Sequence, residues 1–218
     1  GKPLDAIWGL QSDGFFNSED EIASAPSQSA LGNVAPGDIR YVDQNGDGII
    51  NNEDEVYLGK WGWSGAPLSA GIHLTAKWNN LTFFVLATGQ TGAHAMKNSS
   101  YFWIDGEDKY STVVRDRWTP ETAATATYPR LTTQNGENNF RSSDFWMYST
   151  DRIDLAKIQV SYDIPSRILG SDSFLKNLNI YVSGANLFTF SSERELMELN
   201  IGGAPQTRFY NLGLKALF

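Results

Sequence analysis

Tyr210-Asn211-Leu212-Gly213-Leu214-Lys215-Ala216-Leu217-Phe218 is the stretch whose reading decides the fold class. In an extended chain Tyr210, Leu212, Leu214, Ala216 and Phe218 share one face, and Asn211, Gly213, Lys215 and Leu217 share the other. The same period of two recurs upstream. Ala156, Ile158, Val160 and Tyr162 face away from Lys157, Gln159, Ser161 and Asp163. Ala70, Ile72, Leu74, Ala76 and Trp78 oppose Gly71, His73, Thr75 and Lys77. Asn79-Asn80 is a two-residue hairpin signal leading into Leu81–Gln90. Leu178–Phe190 is a further long strand, its apolar face interrupted by Gly184 and Asn186. Helical patterning is confined to two short places. Ser18 caps a turn that Pro26 ends, with Glu21 three residues on, and Lys109–Trp118 predicts a short helix stopped by Pro120.

Three features favour a membrane barrel over a soluble sandwich. The strands are long, their apolar faces carry aromatics near the ends (Trp78, Tyr162, Tyr210, Phe218), and the opposite faces are polar with isolated charges. The connections also alternate between tight and very long. Asn79-Asn80 is minimal and Pro165–Asn177 modest, whereas Ser12–Pro67, Gly92–Thr150 and Ser191–Gln206 are long. Short turns on one rim and long loops on the other belong to outer-membrane barrels. With Phe218 at the inner rim, six strands (Leu4–Gln11, Leu68–Trp78, Leu81–Gln90, Ile153–Ile164, Leu178–Phe190 and Thr207–Phe218) alternate in direction and every long loop falls outside the cell. About six strands do not close a barrel, so the chain reads as the C-terminal part of a larger all-β, antiparallel transmembrane assembly. The terminal Phe218 resembles the signal read by the barrel-assembly machinery.

Composition agrees by exclusion. The 218 residues carry 17 Lys and Arg against 25 Asp and Glu, a net charge of −8, which leaves no basic surface for nucleic acid. Cysteine is absent, removing thiol catalysis, thiolate metal sites and disulfides. Aromatic residues make up 13%, with seven Trp, nine Tyr and twelve Phe, a surplus that membrane girdles and binding platforms both use. No apolar run reaches the ~20 residues of a membrane-spanning helix, and the N-terminus has no apolar signal segment.

Several stretches, in this order, resemble the SusC/RagA family of TonB-dependent outer-membrane transporters of Bacteroidota. They are Gly37-Asp38-Ile39-Arg40-Tyr41-Val42-Asp43, Arg117-Trp118-Thr119-Pro120-Glu121, Tyr128-Pro129-Arg130-Leu131, Ser143-Asp144-Phe145-Trp146, Ile158–Pro165 and Val182–Phe190. Glu193–Glu198 stands where that family usually carries an acidic-Pro segment. The resemblance implies that residues 1–218 belong to a barrel of 22 strands filled by an N-terminal plug. It implies a SusD-type surface lipoprotein over the outer mouth, contact with TonB through the N-terminal portion that lies outside this chain, and import of a glycan or peptide.

One chemical motif stands inside the first long connection, at residues 38–58. Asp43-Gln44-Asn45-Gly46-Asp47-Gly48-Ile49-Ile50-Asn51-Asn52-Glu53-Asp54 fits the twelve-residue calcium loop. Calcium takes six to eight oxygens. Asp43, Asn45 and Asp47 each supply one, Ile49 its carbonyl, Asn51 one directly or through water, and Asp54 both carboxylate oxygens. Gly48 sits at the sharp turn and Ile50 anchors the loop. The competing reading is turn chemistry alone, from Asn45-Gly46 and Asp47-Gly48. The flanks, Ile39-Arg40-Tyr41 and Val56-Tyr57-Leu58, read extended, against a helix–loop–helix sensor.

No nucleophile elbow, zinc-helix, P-loop or dinucleotide motif occurs, so the sequence gives no support to an enzyme. His73 and His94 lack metal-ligand spacing, and His73 falls on a polar strand face. Trp61 and Trp63 lie two apart and share a face of an extended segment. Trp103, Tyr101, Phe102 and Trp146 also sit in or beside long loops. Trp61, Trp63 and Trp103 are candidate ligand-contacting platforms, against the plainer reading that they pack loop against loop. The alternative function is a secreted, calcium-stabilised β-rich module that binds carbohydrate or a partner; a glycosidase comes third.

Overall fold

The computed structural model describes residues 1–63, 65–107, 110–133, 136–170, 174–201 and 203–218. The chain forms two compact units. One is made of Gly1–Trp63 and His94–Ser149, the other of residues 64–93 and Thr150–Phe218. In chain order the strands are β1 (Ala6–Gly9), β2 (Ser12–Phe15), β3 (Ile39–Tyr41), β4 (Val56–Lys60), β5 (Leu68–Trp78), β6 (Leu81–Thr91), β7 (His94–Met96), β8 (Met147–Ser149), β9 (Arg152–Asp163), β10 (Asn177–Phe190) and β11 (Phe209–Leu217). Three short helices accompany them: α1 (Glu19–Ser24), α2 (Ser166–Leu169) and α3 (Arg194–Leu199).

The second unit is a single antiparallel sheet in the order β11-β10-β9-β6-β5, so each strand pairs with the next sheet strand along the chain. Its register collects apolar side chains on one face. Trp78, Leu81, Tyr162, Ile180 and Leu214 form one row across all five strands. Ala76, Phe83, Val160, Val182 and Leu212 form the next. This face is uncovered: Ile72 and Leu74 are each 67% exposed, Leu212 78% and Tyr210 74%. The other face carries His73, Lys77, Gln159, Lys157, Asn179 and Lys215. Asn79, with φ of 52°, makes the tight β5–β6 turn, and Asn80 Nδ2 donates to the Asp163 carbonyl at 2.8 Å. The eleven residues of β5 take ten steps, ~34 Å at ~3.4 Å per residue, which a tilt of ~40° reduces to ~26 Å. That matches the ~25 Å apolar band of a transmembrane barrel.

Two expectations change in detail. Ala156 does not continue the face of Ile158, Val160 and Tyr162. Leu86 pairs with Lys157 and Ala87 with Leu155, so Ala156 is the extra residue of a bulge. Beyond it the apolar set moves to odd positions, Leu155 and Ile153, opposite Phe188 and Phe190. Secondly, five strands rather than six form the sheet. Within Leu4–Gln11 only Ala6–Gly9 is a strand, and it pairs with β4 in the other unit. Four residues suffice there because Ile7 and Leu10, 2% and 3% exposed, are buried in that unit's core.

The first unit is built from three two-stranded ribbons, β1–β4, β2–β3 and β7–β8, around a core of Ile7, Leu10, Leu31, Ile39, Ile50, Tyr128 and Trp146. In α1 the Ser18 hydroxyl accepts from Glu21 N, as the sequence indicates, while the Glu21 carboxylate accepts from Asn17 N. Lys109 lies outside the described residues, and Thr112–Asp116 within its predicted helix is a short 3-10 segment.

Candidate functional site

The twelve-residue loop leaves β3 and returns through a 3-10 turn, Asn52–Asp54, into β4. Each predicted side-chain ligand has an oxygen fixed by a backbone N–H. The Asp43 carboxylate accepts from Gly46 N at 2.7 Å and Gly48 N at 2.8 Å. Asn45 Oδ1 accepts from Asp47 N, Asp47 Oδ1 from Ile49 N, and Asn51 Oδ1 from Glu53 N. Asp54, fully buried, closes the loop by accepting from Gln44 N at 2.9 Å and Asn51 N at 2.8 Å. Gly46 and Gly48, with φ of 77° and 83°, adopt the left-handed conformation these turns require.

The Gly48 N–H, first among four backbone donors, holds the Asp43 carboxyl below the usual carboxylate range. The loop is anchored as expected. Ser27 N donates to the Gly48 carbonyl and Ile50 N to the Ser27 carbonyl, and the Ile50 side chain is fully buried.

The donor set is hard and oxygen-only, which suits calcium. The ion pairs described join Arg40–Asp13, Lys60–Asp5, Arg130–Asp38, Arg152–Asp154 and Arg194 and Arg208 with Glu198; Asp43, Asp47 and Asp54 belong to none of them. Among the described residues no three His, Cys, Asp or Glu side chains gather as a metal cluster. The loop offers instead three carboxylates spread through twelve residues, with Asn45, Asn51 and the Ile49 carbonyl between them. The Asn45 amide nitrogen points at Asp47 Oδ2, at 3.2 Å.

Directly after β4 the rings of Trp61 and Trp63 lie nearly parallel, with centroids 6.4 Å apart and planes 16° apart. Asp5 fixes the segment: its carbonyl accepts from Trp61 N and its carboxylate from Gly62 N, both at 2.9 Å. Trp61 packs on the core, while Trp63 is 76% exposed. Trp103 is placed differently. Its ring lies 6.0 Å from Phe140 and 6.2 Å from Trp146, inside an aromatic cluster that Tyr128 and Phe145 complete. Tyr101 and Phe102 meet edge to face at 5.0 Å. Only Trp61 and Trp63 form an open platform among the three candidate aromatics.

Sequence reading passed over a buried polar network in the first unit. Asp38, 1% exposed, accepts from Ala35 N and from Asn139 Nδ2, each at 2.8 Å. Arg130 Nη2 donates to Asp38 Oδ2 at 3.1 Å, and its Nε lies 2.8 Å from Oδ1 without hydrogen-bond alignment. Asn139 Oδ1 accepts from Ile39 N, Gln28 Oε1 from Tyr41 N, and the Tyr41 hydroxyl donates to the Asn138 carbonyl. Burial raises the Tyr41 phenol, and pushes that of Tyr128 up to about 12.

In the second unit, Thr189 Oγ1 donates to Asp154 Oδ1 at 2.7 Å and Arg152 pairs with Asp154 at 2.9 Å. They line a cavity of about 300 Å³ with Met197 and Gln206. The signal for the first network was present but indirect. Gly37–Asp43, Tyr128–Leu131 and Ser143–Trp146 carry the family resemblance, and these stretches meet: Arg130 N donates to the Gly37 carbonyl, and the rings of Tyr128 and Trp146 lie 5.7 Å apart.

No family model matches the chain. It is 28% identical over 239 aligned residues to the TonB-dependent receptor P26 of Formosa agariphila, covering 100% of this chain and 23% of the receptor. Solved structures of the RagAB peptide importer share its fold. The open-open state gives a TM-score of 0.69 over 97% of this chain and the closed-closed state 0.66 over 96%, each at 13% identity and over 22% of the RagAB chain. The chain is SusC/RagA-like. It spans less than a quarter of the length of these relatives. They are named as a receptor and an importer, neither as an enzyme.

Proposed function

We propose that this SusC/RagA-like chain is part of a TonB-dependent nutrient importer in the outer membrane of a member of the Bacteroidota. The observation that carries the reading is the apolar face of β5, β6, β9, β10 and β11. It is about as tall as a bilayer's hydrocarbon band, and Trp78 and Tyr162 lie toward one rim with Phe190 toward the other. A secreted module would not leave Leu212 and Leu214 78% and 63% exposed to water. In the importer the five strands are an arc of a 22-stranded barrel, Lys157, Gln159 and Lys215 face the lumen, and the first unit is extracellular.

The finer assignments belong to the same proposal. A SusD-type lipoprotein covers the outer mouth, and TonB engages the portion outside this chain. RagAB is a peptide importer; for this chain an oligosaccharide or a peptide is the cargo. Trp63, stacked on Trp61, offers a flat face to either. Ca²⁺ in the Asp43–Asp54 loop, held by Asp43, Asn45, Asp47, the Ile49 carbonyl, Asn51 and Asp54, neutralises three carboxylates that join no ion pair among the described residues and so fixes the connection leading to that platform.

The experiment is site-by-site labelling of the full-length protein in vesicles whose lipids carry a quencher. Fluorophores at Leu212 and Leu214 are quenched and those at Asn211 and Lys215 are not. Equal quenching at all four positions defeats the reading.

A further inference from the structure

β10 runs on to Phe190, whereas β11 reaches only Phe209, opposite Ala185. Past that point α3 and the segment up to Gln206 line the β10 edge in place of a strand. α3 packs on β10, Asn186 Nδ2 donates to the Thr207 carbonyl, and Gln206 N donates to the Glu198 carbonyl. The cavity of about 300 Å³ lies where this segment meets the polar face of β9 and β10. Thr88, Asp154 and Thr189 form one row of that face. Met197, Ala204 and Gln206 supply the opposite wall.

Inside the cavity the Arg152–Asp154 pair is joined at one point. A side-on guanidinium–carboxylate pair uses two parallel N–H···O bonds. Here Thr189 Oγ1 donates to Asp154 Oδ1 at 2.7 Å, and Arg152 Nε donates to Oδ2 at 2.9 Å. Among the described residues Arg152 is bonded through Nε alone, and its side chain is 37% exposed, which leaves Nη1 and Nη2 open to the cavity. Lys157 lies two residues down the same face when counted along β6, ~7 Å, and joins none of the described ion pairs. Arg152 and Lys157 against Asp154 make this strip positive in a chain of net charge −8.

We propose that the cavity binds a carboxylate of the imported cargo on Nη1 and Nη2 of Arg152, an inference that rests on the importer reading. Asp154 and Thr189 are positioning residues: Asp154 orients the guanidinium, and Thr189 occupies the carboxylate oxygen that would otherwise draw an Nη group away. Two coplanar Nη groups match two coplanar oxygens of a monoanion, whereas a tetrahedral dianion would sit beside Asp154 with one guanidinium to share. The volume is at the lower end of the ~300–1,000 Å³ of ligand sites, room for one terminal unit. The last residue of a peptide and a single uronate ring both present this group; a neutral oligosaccharide does not.

The test uses the full-length protein in detergent and phenylglyoxal, which modifies open guanidinium groups. Adducts are followed by mass spectrometry at Arg152 and, as internal reference, at Arg208, whose side chain is 44% exposed. The probes are trialanine and trigalacturonate, each beside its neutralised counterpart, the C-terminal amide and the methyl ester. The expected result is that at least one acid, at saturation, slows the Arg152 adduct about tenfold relative to Arg208, while its counterpart does not. Which acid protects names the source of the carboxylate. Thr189→Val removes the protection and Thr189→Ser restores it; protection unchanged in Thr189→Val overturns the positioning role. Protection by neither acid overturns the proposal, and so does equal protection by acid and counterpart. Inorganic sulfate protecting as well as the acids also overturns it, by making the site indifferent to carboxylate. The importer reading fails separately, on the quenching pattern at Leu212 and Leu214.

Discussion

Replacing Arg130 by Met tests whether the buried network organises the first unit. The Met side chain keeps most of the aliphatic volume and removes the charge. Breaking a buried ion pair from one side costs about 3–5 kcal/mol. Here the cost is smaller for two reasons visible in the geometry. The Arg130 side chain is 27% exposed, and the Asp38 carboxylate keeps the N–H donors of Ala35 and Asn139. A loss of about 2–3 kcal/mol follows, equivalent to about a 30- to 150-fold rise in the opening equilibrium. Hydrogen exchange reads it directly at the amides of Ile39 and Tyr41, whose protons are held by Asn139 Oδ1 at 2.8 Å and Gln28 Oε1 at 2.7 Å. Arg130→Lys, which keeps a charge without the planar fork, falls between wild type and Met. Unchanged protection of both amides in the Met variant refutes the idea that Asp38–Arg130 holds these segments together.

Gly37→Ala is expected to cost ~2–4 kcal/mol, because φ is 92° and a Cβ there runs into the Trp118 ring; tryptophan fluorescence during denaturant unfolding measures it. Arg194, first by hydrogen bonding to Glu198, depresses that carboxyl's pKa, so its contribution to α3 is present above the ordinary carboxylate range and lost as pH falls below it. Protection of the α3 amides relative to intrinsic exchange at the same pH therefore falls in acid, and Glu198→Gln abolishes that dependence. For the Asp43–Asp54 loop, chelator raises protease cleavage in the wild type and adds nothing to Asp47→Ala; calorimetry without calcium binding in the millimolar range reduces the loop to turns.

The sheet was legible because its signal is local. Alternation needs only neighbouring residues, and the same pattern that places Leu212 and Leu214 opposite Lys215 in the sequence does so in the structure. Its errors have a common origin in long-range pairing. The bulge at Ala156 inverts the faces of β9 for Leu155 and Ile153, yet Arg152-Ile153-Asp154-Leu155 alternates as cleanly as the residues after it. The change from odd to even apolar positions is present in the sequence, but only the register with β6 and β10 fixes the slip at Ala156. Likewise Ala6–Gly9 alternates well enough to pass for a longer strand. It is set apart by its partner β4, some fifty residues on, and by the burial of Ile7 and Leu10.

The two candidate sites differ in the same way. Asp43–Asp54 closes on itself over twelve residues, with each Asx side chain accepting from an N–H a few positions along, so its geometry is implicit in its spacing. The network around Asp38 joins groups 92 to 110 positions apart, and no local pattern distinguishes Asn138 and Asn139 from the many Asn residues of surface turns. Their burial, at 2% exposure each, is what separates them. A polar group so enclosed is stable only when its partners are in place, because each orphaned donor or acceptor costs about 1–3 kcal/mol. These bonds run from residues 28–41 on one side to 130–139 on the other, so neither long connection completes its own interior. They fold together or not at all.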